Sequence, residues 1–230
     1  MIPRSIRAVA WLASLAVVMA CTATPGGSPS AAPPSQAAPP SQSASSPDAP
    51  SGSSDAGSCP SSEPAALPAG ETRSVTIETS EGSFTIALRA DLSPIAVGNF
   101  VALAECGFYD GVVFHRLVPG FVIQGGDPDG TGTGGPGYTI TDEPVTTEYQ
   151  RGTIAMARTP QPNSVGSQFF VVLDDGAKDS LALANTYQII GEVTEGMEVV
   201  DAIAAMPNTG EPNNAAIDPV AMDRVTVNEP

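Results

Sequence analysis

A single histidine, His115, serves the whole chain of 230 residues. Metal sites built from several His or Cys ligands therefore lack material, since only 3 cysteines accompany it. A Ser-His-Asp triad would have to use that same histidine. No Gly-x-Ser-x-Gly elbow goes with it, and a strand interior is a poor place for a mobile base. Lys178 is the only lysine, and 9 basic residues stand against 25 acidic ones for a net charge of −16. Nucleic acid is excluded as a partner, because phosphate binding needs clustered Lys and Arg; the acidity is a solubility feature. Carboxylates are abundant, but no pair stands out to anchor glycosidase chemistry. There is no Gly-Lys-Ser/Thr phosphate loop. Gly130 to Gly135 satisfies G-x-G-x-x-G literally, yet more glycine and proline follow where a dinucleotide site needs a helix, so it reads as a mobile surface loop. No metal and no cofactor is expected.

Large apolar residues are also missing from a long N-terminal stretch. Residues 1–20 carry Arg4 and Arg7, then an apolar run from Ala8 to Ala20 too short for a membrane span. This is the pattern of a signal peptide. Val18-Met19-Ala20-Cys21 resembles the lipobox of bacterial lipoproteins, which implies lipidation at Cys21 and a membrane anchor. Residues 21–71 then form a Pro/Ser/Ala-rich tether that cannot offset the entropy of ordering, with a flexible reach of roughly 35–40 Å. Cys59 and Cys106 remain. In an exported chain they invite a disulfide; the alternative is two separate thiols, with Cys106 packed at a helix end.

Residues 72–230 carry the ordered domain. Val75, Ile77 and Thr79 alternate with polar neighbours, as do Phe84, Ile86 and Leu88, and Glu81-Gly82 between them completes a β-hairpin. Ser93-Pro94 reads as an N-cap and first helical residue, and Gly107 closes the helix. Further strands are expected over 152–157, 169–173, 188–193 and 224–227, with a second helix over 197–205. Many short strands and two helices fit one antiparallel barrel or sandwich.

The stretch from Phe114 to Asp127 stands apart. Two β-type runs flank Pro119-Gly120, but Arg116 and Gln124 occupy places where a core strand would carry valine or leucine. A buried guanidinium costs several kcal/mol unless its donors are satisfied. These groups either line a groove or form a buried polar network. Strict alternation also sends Phe121 and Gln124 to opposite faces, so a shared groove demands a twist or bulge before Gly125-Gly126.

Phe114-His115-Arg116-Leu117-Val118-Pro119-Gly120-Phe121-Val122-Ile123-Gln124-Gly125-Gly126-Asp127 resembles the signature of the cyclophilin family of peptidyl-prolyl cis–trans isomerases. Gly166-Ser167-Gln168-Phe169-Phe170-Val171-Val172 resembles a second family string, and the likeness runs from Val75 to Val227. It implies a mainly β fold: a closed eight-stranded antiparallel barrel capped by two α-helices. It also implies that Arg116 is the catalytic guanidinium, with Gln124 placing the peptide backbone. Phe121, Met156, Phe170 and Leu183 would wall a proline pocket, and His115, Ala157, Arg158, Gln168 and Tyr187 would complete the groove. The implied partners are proline-containing segments of exported proteins, at an extracytoplasmic, lipid-anchored location. Turnover needs no base, nucleophile or metal, only a donor that favours the twisted amide. A peptide-binding chaperone or scaffold module whose turnover is inessential is the rival reading. Ala182 stands where many eukaryotic members carry tryptophan, which implies weak cyclosporin binding. Arg158 replaces their asparagine, and Tyr187 stands where many relatives have histidine.

Overall fold

The computed structural model describes residues 58–228. The signal peptide read over residues 1–20, Cys21 and the tether as far as residue 57 lie outside the described residues. Strands β1 (Thr72–Thr79) and β2 (Gly82–Arg89) form the expected hairpin, paired from Thr72↔Arg89 to Thr79↔Gly82. Val75, Ile77, Phe84, Ile86 and Leu88 point inward and are fully buried, as a period of two requires.

Helix α1 (Pro94–Glu105) follows, with proline at its start. Ser93 makes no capping bond. Glu143, distant in sequence, caps the helix instead: its Oε1 and Oε2 accept from the N–H groups of Ile95 and Ala96, each at 2.9 Å. At the other end Phe108 N–H donates to Leu103 O and Gly107 N–H to Ala104 O, both at 3.0 Å, the paired bonds of a Schellman motif.

The remaining elements are β3 (Val113–Val118), β4 (Val122–Asp127), β5 (Thr153–Met156), β6 (Phe169–Val172), α2 (Ala177–Ala184), β7 (Ile189–Glu195), α3 (Met197–Ala204) and β8 (Arg224–Val227). Among the described residues there are thus three helices rather than the expected two. In α2 only Ala177 and Leu181 are buried, so no apolar stripe announced it.

The eight strands form one antiparallel sheet in the order β3-β4-β6-β5-β7-β2-β1-β8. The barrel expected to be closed is open: β3 and β8 end the order without pairing each other, leaving a half-barrel. β8, 4 residues long, pairs on one side only, with β1. The chain ahead of it runs beside β3 without becoming a strand. It touches β3 at the isolated bridges Arg116↔Ala215 and Val113↔Ala221, and Phe114 N–H donates to Val220 O at 2.9 Å. These bonds protect the β3 edge without building a ladder.

The domain also starts earlier than residue 72. Cys59 and Cys106 are joined by a disulfide, with S–S 2.12 Å and Cα–Cα 5.1 Å. Leu67 N–H donates to Pro94 O at 3.1 Å, and Ala90 N–H to Glu71 O at 2.9 Å. Residues 58–71, read as tether, are a strap laid against α1. Composition hid this because a covalent link and backbone bonds hold the strap, with Leu67 alone among its larger apolar side chains packed against the core.

Two apolar layers result. The larger lies inside the half-barrel, where Phe100 stacks on Tyr109 (centroids 4.8 Å) and meets Phe169 edge-on (5.3 Å). The smaller lies on the outer face and includes Val122, Ala155, Phe170, Leu181 and Ile189. The candidate site stands on this outer layer.

Candidate active site

β3 and β4 bring Arg116 directly opposite Gln124. The pairing passes from Arg116↔Gln124 to Phe114↔Gly125 and then to Val113↔Asp127, so His115 and Gly126 are each an extra residue on their strand. The bulge at His115 lets both Phe114 and Leu117 face the interior while Arg116 turns to the outer face. Phe121 escapes the alternation in a different way. It belongs to the turn after Pro119-Gly120, where Gly120 takes φ 69° and Phe121 N–H donates to Val118 O at 3.0 Å. Arg116, Phe121 and Gln124 therefore share one face. The buried-network alternative is set aside: Arg116 is half-buried at the rim of a hollow, and no acceptor engages its guanidinium among the described residues.

That hollow measures about 200 Å³. Phe121, Val122 and Phe170 form its apolar side with Leu181 and Tyr187; Arg116, Gln124 and Arg158 form its polar side, and Ala157 completes it. Pockets for drug-sized ligands run from roughly 300 to 1,000 Å³, so this one suits a single small ring. Phe170 and Tyr187 meet edge to face at 5.4 Å. The Tyr149 hydroxyl donates to Tyr187 O at 3.0 Å and ties down that wall, while burial pushes the Tyr149 phenol up to about 12. A second hollow, about 550 Å³, adjoins the first and shares Gln124, Ala157 and Arg158 with it. Gln168 lines this second space: it accepts from Gln124 Nε2 at 2.9 Å and donates to Gly134 O at 2.9 Å. The Gln124 side-chain oxygen is left free of bonds among the described residues, available to a peptide N–H.

Three expected groove residues are not brought together here. Leu183 is 89 % exposed and points to solvent; Leu181, two residues earlier on α2, occupies the hollow in its place. Met156 is fully buried inside the half-barrel, on the opposite face of β5 from Ala155. His115 is 8 % exposed at its bulge and lines neither hollow, and neither ring nitrogen has a partner among the described residues. Burial pulls its pKa down and nearby Arg116 does likewise, against the opposing pull of Asp127.

The glycine-rich segment is organised around Asp127, whose Oδ2 accepts from the N–H groups of Thr131 (3.0 Å), Gly132 (2.6 Å) and Gly134 (3.1 Å), while Oδ1 accepts from Asp129 N–H (2.8 Å). A Cβ on Gly134 would collide with that carboxylate. The loop expected to be a mobile surface loop lies at the surface but is tied around this carboxylate, and its residues 132–139 wall the second hollow.

Residues 74–227 match the family described as cyclophilin type peptidyl-prolyl cis-trans isomerase/CLD. The chain belongs to this family. Among its curated relatives, the peptidyl-prolyl cis-trans isomerase A of Mycobacterium tuberculosis is 39 % identical over 175 residues, covering 68 % of this chain and 92 % of the relative. The probable isomerase A of Mycobacterium leprae is 37 % identical over 176 residues, covering 68 % and 93 %. A crystal structure of a Cryptosporidium parvum cyclophilin in the presence of the dipeptide Ala-Pro aligns with a TM-score of 0.61 at 32 % identity, covering 68 % of this chain and 99 % of the other. In this cyclophilin, Val122 and Leu181 are hollow residues that the sequence reading passed over. Val122 was legible as the same-face neighbour of Gln124, two residues away; Leu181 had no signal before α2 was seen.

Proposed function

We propose that the chain catalyses X–Pro isomerisation in exported proteins by Arg116-assisted stabilisation of the twisted amide. Amide resonance sets a barrier of about 18–20 kcal/mol for this rotation. In the twisted state the prolyl nitrogen regains its lone pair, and a guanidinium donor at that nitrogen favours the twisted form over both planar ones. The observation that carries the reading is a positive group with no internal acceptor at the edge of a ring-sized apolar hollow. The prolyl ring enters between Phe121, Phe170 and Leu181. Gln124 oxygen takes a backbone N–H, and the neighbouring substrate residue lies over the second hollow. The Ala-Pro dipeptide used with the C. parvum relative fits that substrate class.

Export by the signal of residues 1–20 and lipidation at Cys21 belong to the same proposal. The Cys59–Cys106 disulfide supports it, since such bonds persist in oxidising compartments. Replacement of Cys21 by serine should release the protein from membranes, scored by fractionation. Cyclosporin should bind weakly, because the chain's one tryptophan, Trp11, lies in the stretch read as a signal peptide and leaves no indole for the groove.

The deciding experiment is Arg116→Ala in a protease-coupled assay on a proline tetrapeptide. A loss in kcat/KM of at least about tenfold is expected, worth about 1.4 kcal/mol of transition-state stabilisation, with an unchanged circular-dichroism spectrum. An unchanged rate overturns the mechanism. Loss of turnover with retained peptide binding and unimpaired function in cells would favour the chaperone or scaffold reading.

A further inference from the structure

The strap ahead of β1 is fastened at both ends and packed in between. The disulfide holds Cys59 to the end of α1, and Leu67 N–H donates to Pro94 O at the helix start. Between these points the backbone passes so close to α1 that a Cβ on Gly98 would strike the Ala65 carbonyl oxygen. Glycine is a weaker helix former than alanine, so the helix gives up stability to admit the strap. Nothing in isomerase chemistry itself asks for such a strap.

A long-range hydrogen bond to the strap's Glu63 side chain is informative. Glu63 Oε2 accepts from the backbone N–H of Thr141 at 2.6 Å. The next residue, Asp142, holds Arg158: Asp142 Oδ2 lies 3.0 Å from Arg158 Nη1, with the two side chains 27 % and 10 % exposed. Asp142 also exchanges two bonds of 2.9 Å with Asn163, and Arg158 Nη2 donates to Gln161 O at 2.8 Å. Arg158 in turn lines both hollows. Thr141 and Asp142 are in neither helix nor strand; beyond the isolated Ile140↔Val165 bridge and a 3.2 Å bond from Gln188 Nε2 to Thr141 O, their place is set by bonds of this kind rather than by a ladder.

We propose that Glu63 is a positioning residue: from the covalently fastened strap it fixes Thr141–Asp142, and through the Asp142–Arg158 pair it sets the wall shared by the two hollows. The inference rests on the isomerase reading of those hollows. It makes the stretch before the catalytic domain part of the site's support, and it ties grip on the residue beside proline to the strap. Without Glu63, the Thr141 N–H turns to water and Asp142, still bonded to Asn163, loses its tie to the strap. Arg158 then samples positions that narrow or widen the junction, which weakens peptide binding more than it slows rotation.

The test is a double-mutant cycle in the purified full chain, reading kcat and KM on a proline tetrapeptide and the peptide Kd by calorimetry. Glu63→Ala should raise KM and Kd by about threefold to tenfold, with kcat held within about twofold. Glu63→Gln, whose amide oxygen still accepts from Thr141, should restore wild-type values. In an Arg158→Ala background, Glu63→Ala should have no further effect, an outcome that general loosening of the domain would not give. Glu63→Ala matching wild type, or costing the same with and without Arg158, overturns the proposal. A wild-type protein that binds peptide without turnover sinks the isomerase reading, while the Kd cycle still decides the Glu63–Arg158 coupling. Absence of both binding and turnover overturns the two together.

Discussion

Leu181 and Leu183 stand two residues apart on α2, about 200° around a helix of 3.6 residues per turn, so only one of them can face the sheet. The structure chooses Leu181, which is 4 % exposed in the hollow. Leu181→Ala should raise KM on proline peptides several-fold and cost about 2–5 kcal/mol of stability as a buried leucine. Leu183→Ala should leave both within error; kinetics and a denaturant melt of each variant check the pair. Asp127 sets a different test. Burial raises the pKa of its carboxyl, but the N–H donors of Asp129, Gly134 and Gly132 with the Thr131 hydroxyl outweigh that and leave it below the usual aspartate range. A depressed folded-state pKa gives stability that is present above the unfolded value, near 3.9 for an ordinary aspartate, and lost as pH falls through the folded value. Asp127→Asn should therefore cost about 2 kcal/mol at neutral pH, with the gap to wild type closing in acid, read by urea melts at several pH values. Glu143 works in the opposite sense, because burial raises its pKa despite the Ile95 and Ala96 N–H bonds. The comparison with Asp127→Asn cancels that contribution.

Among the elements, α1 shows how a local signal and a distant contact share one task. Pro94 and Gly107 marked its ends in the sequence. The cap did not come from Ser93 but from Glu143, across 48 positions, and no local pattern could announce that. Gly98 carries the clearest prediction at this scale. Gly→Ala inside a helix ordinarily stabilises by about 1 kcal/mol. At Gly98 the sign should reverse, because the strap carbonyl of Ala65 occupies the methyl's place; a lower melting temperature for Gly98→Ala is the expected reading. The β3–β4 hairpin makes a similar point about sequence patterns. Alternation placed both strands, but the extra residues at His115 and Gly126 and the turn position of Phe121 decided which side chains share a face.

For the whole molecule, the covalent link between strap and domain is the largest constraint outside the core. It closes a loop across 47 positions, and loops of this kind contribute roughly 2–4 kcal/mol by restricting the unfolded chain. Reduction, or Cys59→Ser, should lower unfolding free energy by that amount in guanidinium melts and should free the strap for proteolysis ahead of β1. The sheet stays open between β3 and β8, and the site lies on its outer face with Arg116 on the edge strand β3. The strands, helices α1 and α3 and the identity of Arg116, Gln124 and Phe121 as site candidates were written along the chain, because each depends on neighbours a few residues away. The openness of the sheet, the choice of Leu181 over Leu183, the withdrawal of His115 and Met156, the knot around Asp127 and the recruitment of residues 58–71 were not. Each of those turns on which surfaces meet in three dimensions, where one bulge, one shared carboxylate or one sulfur–sulfur bond overrides what periodicity and composition prescribe.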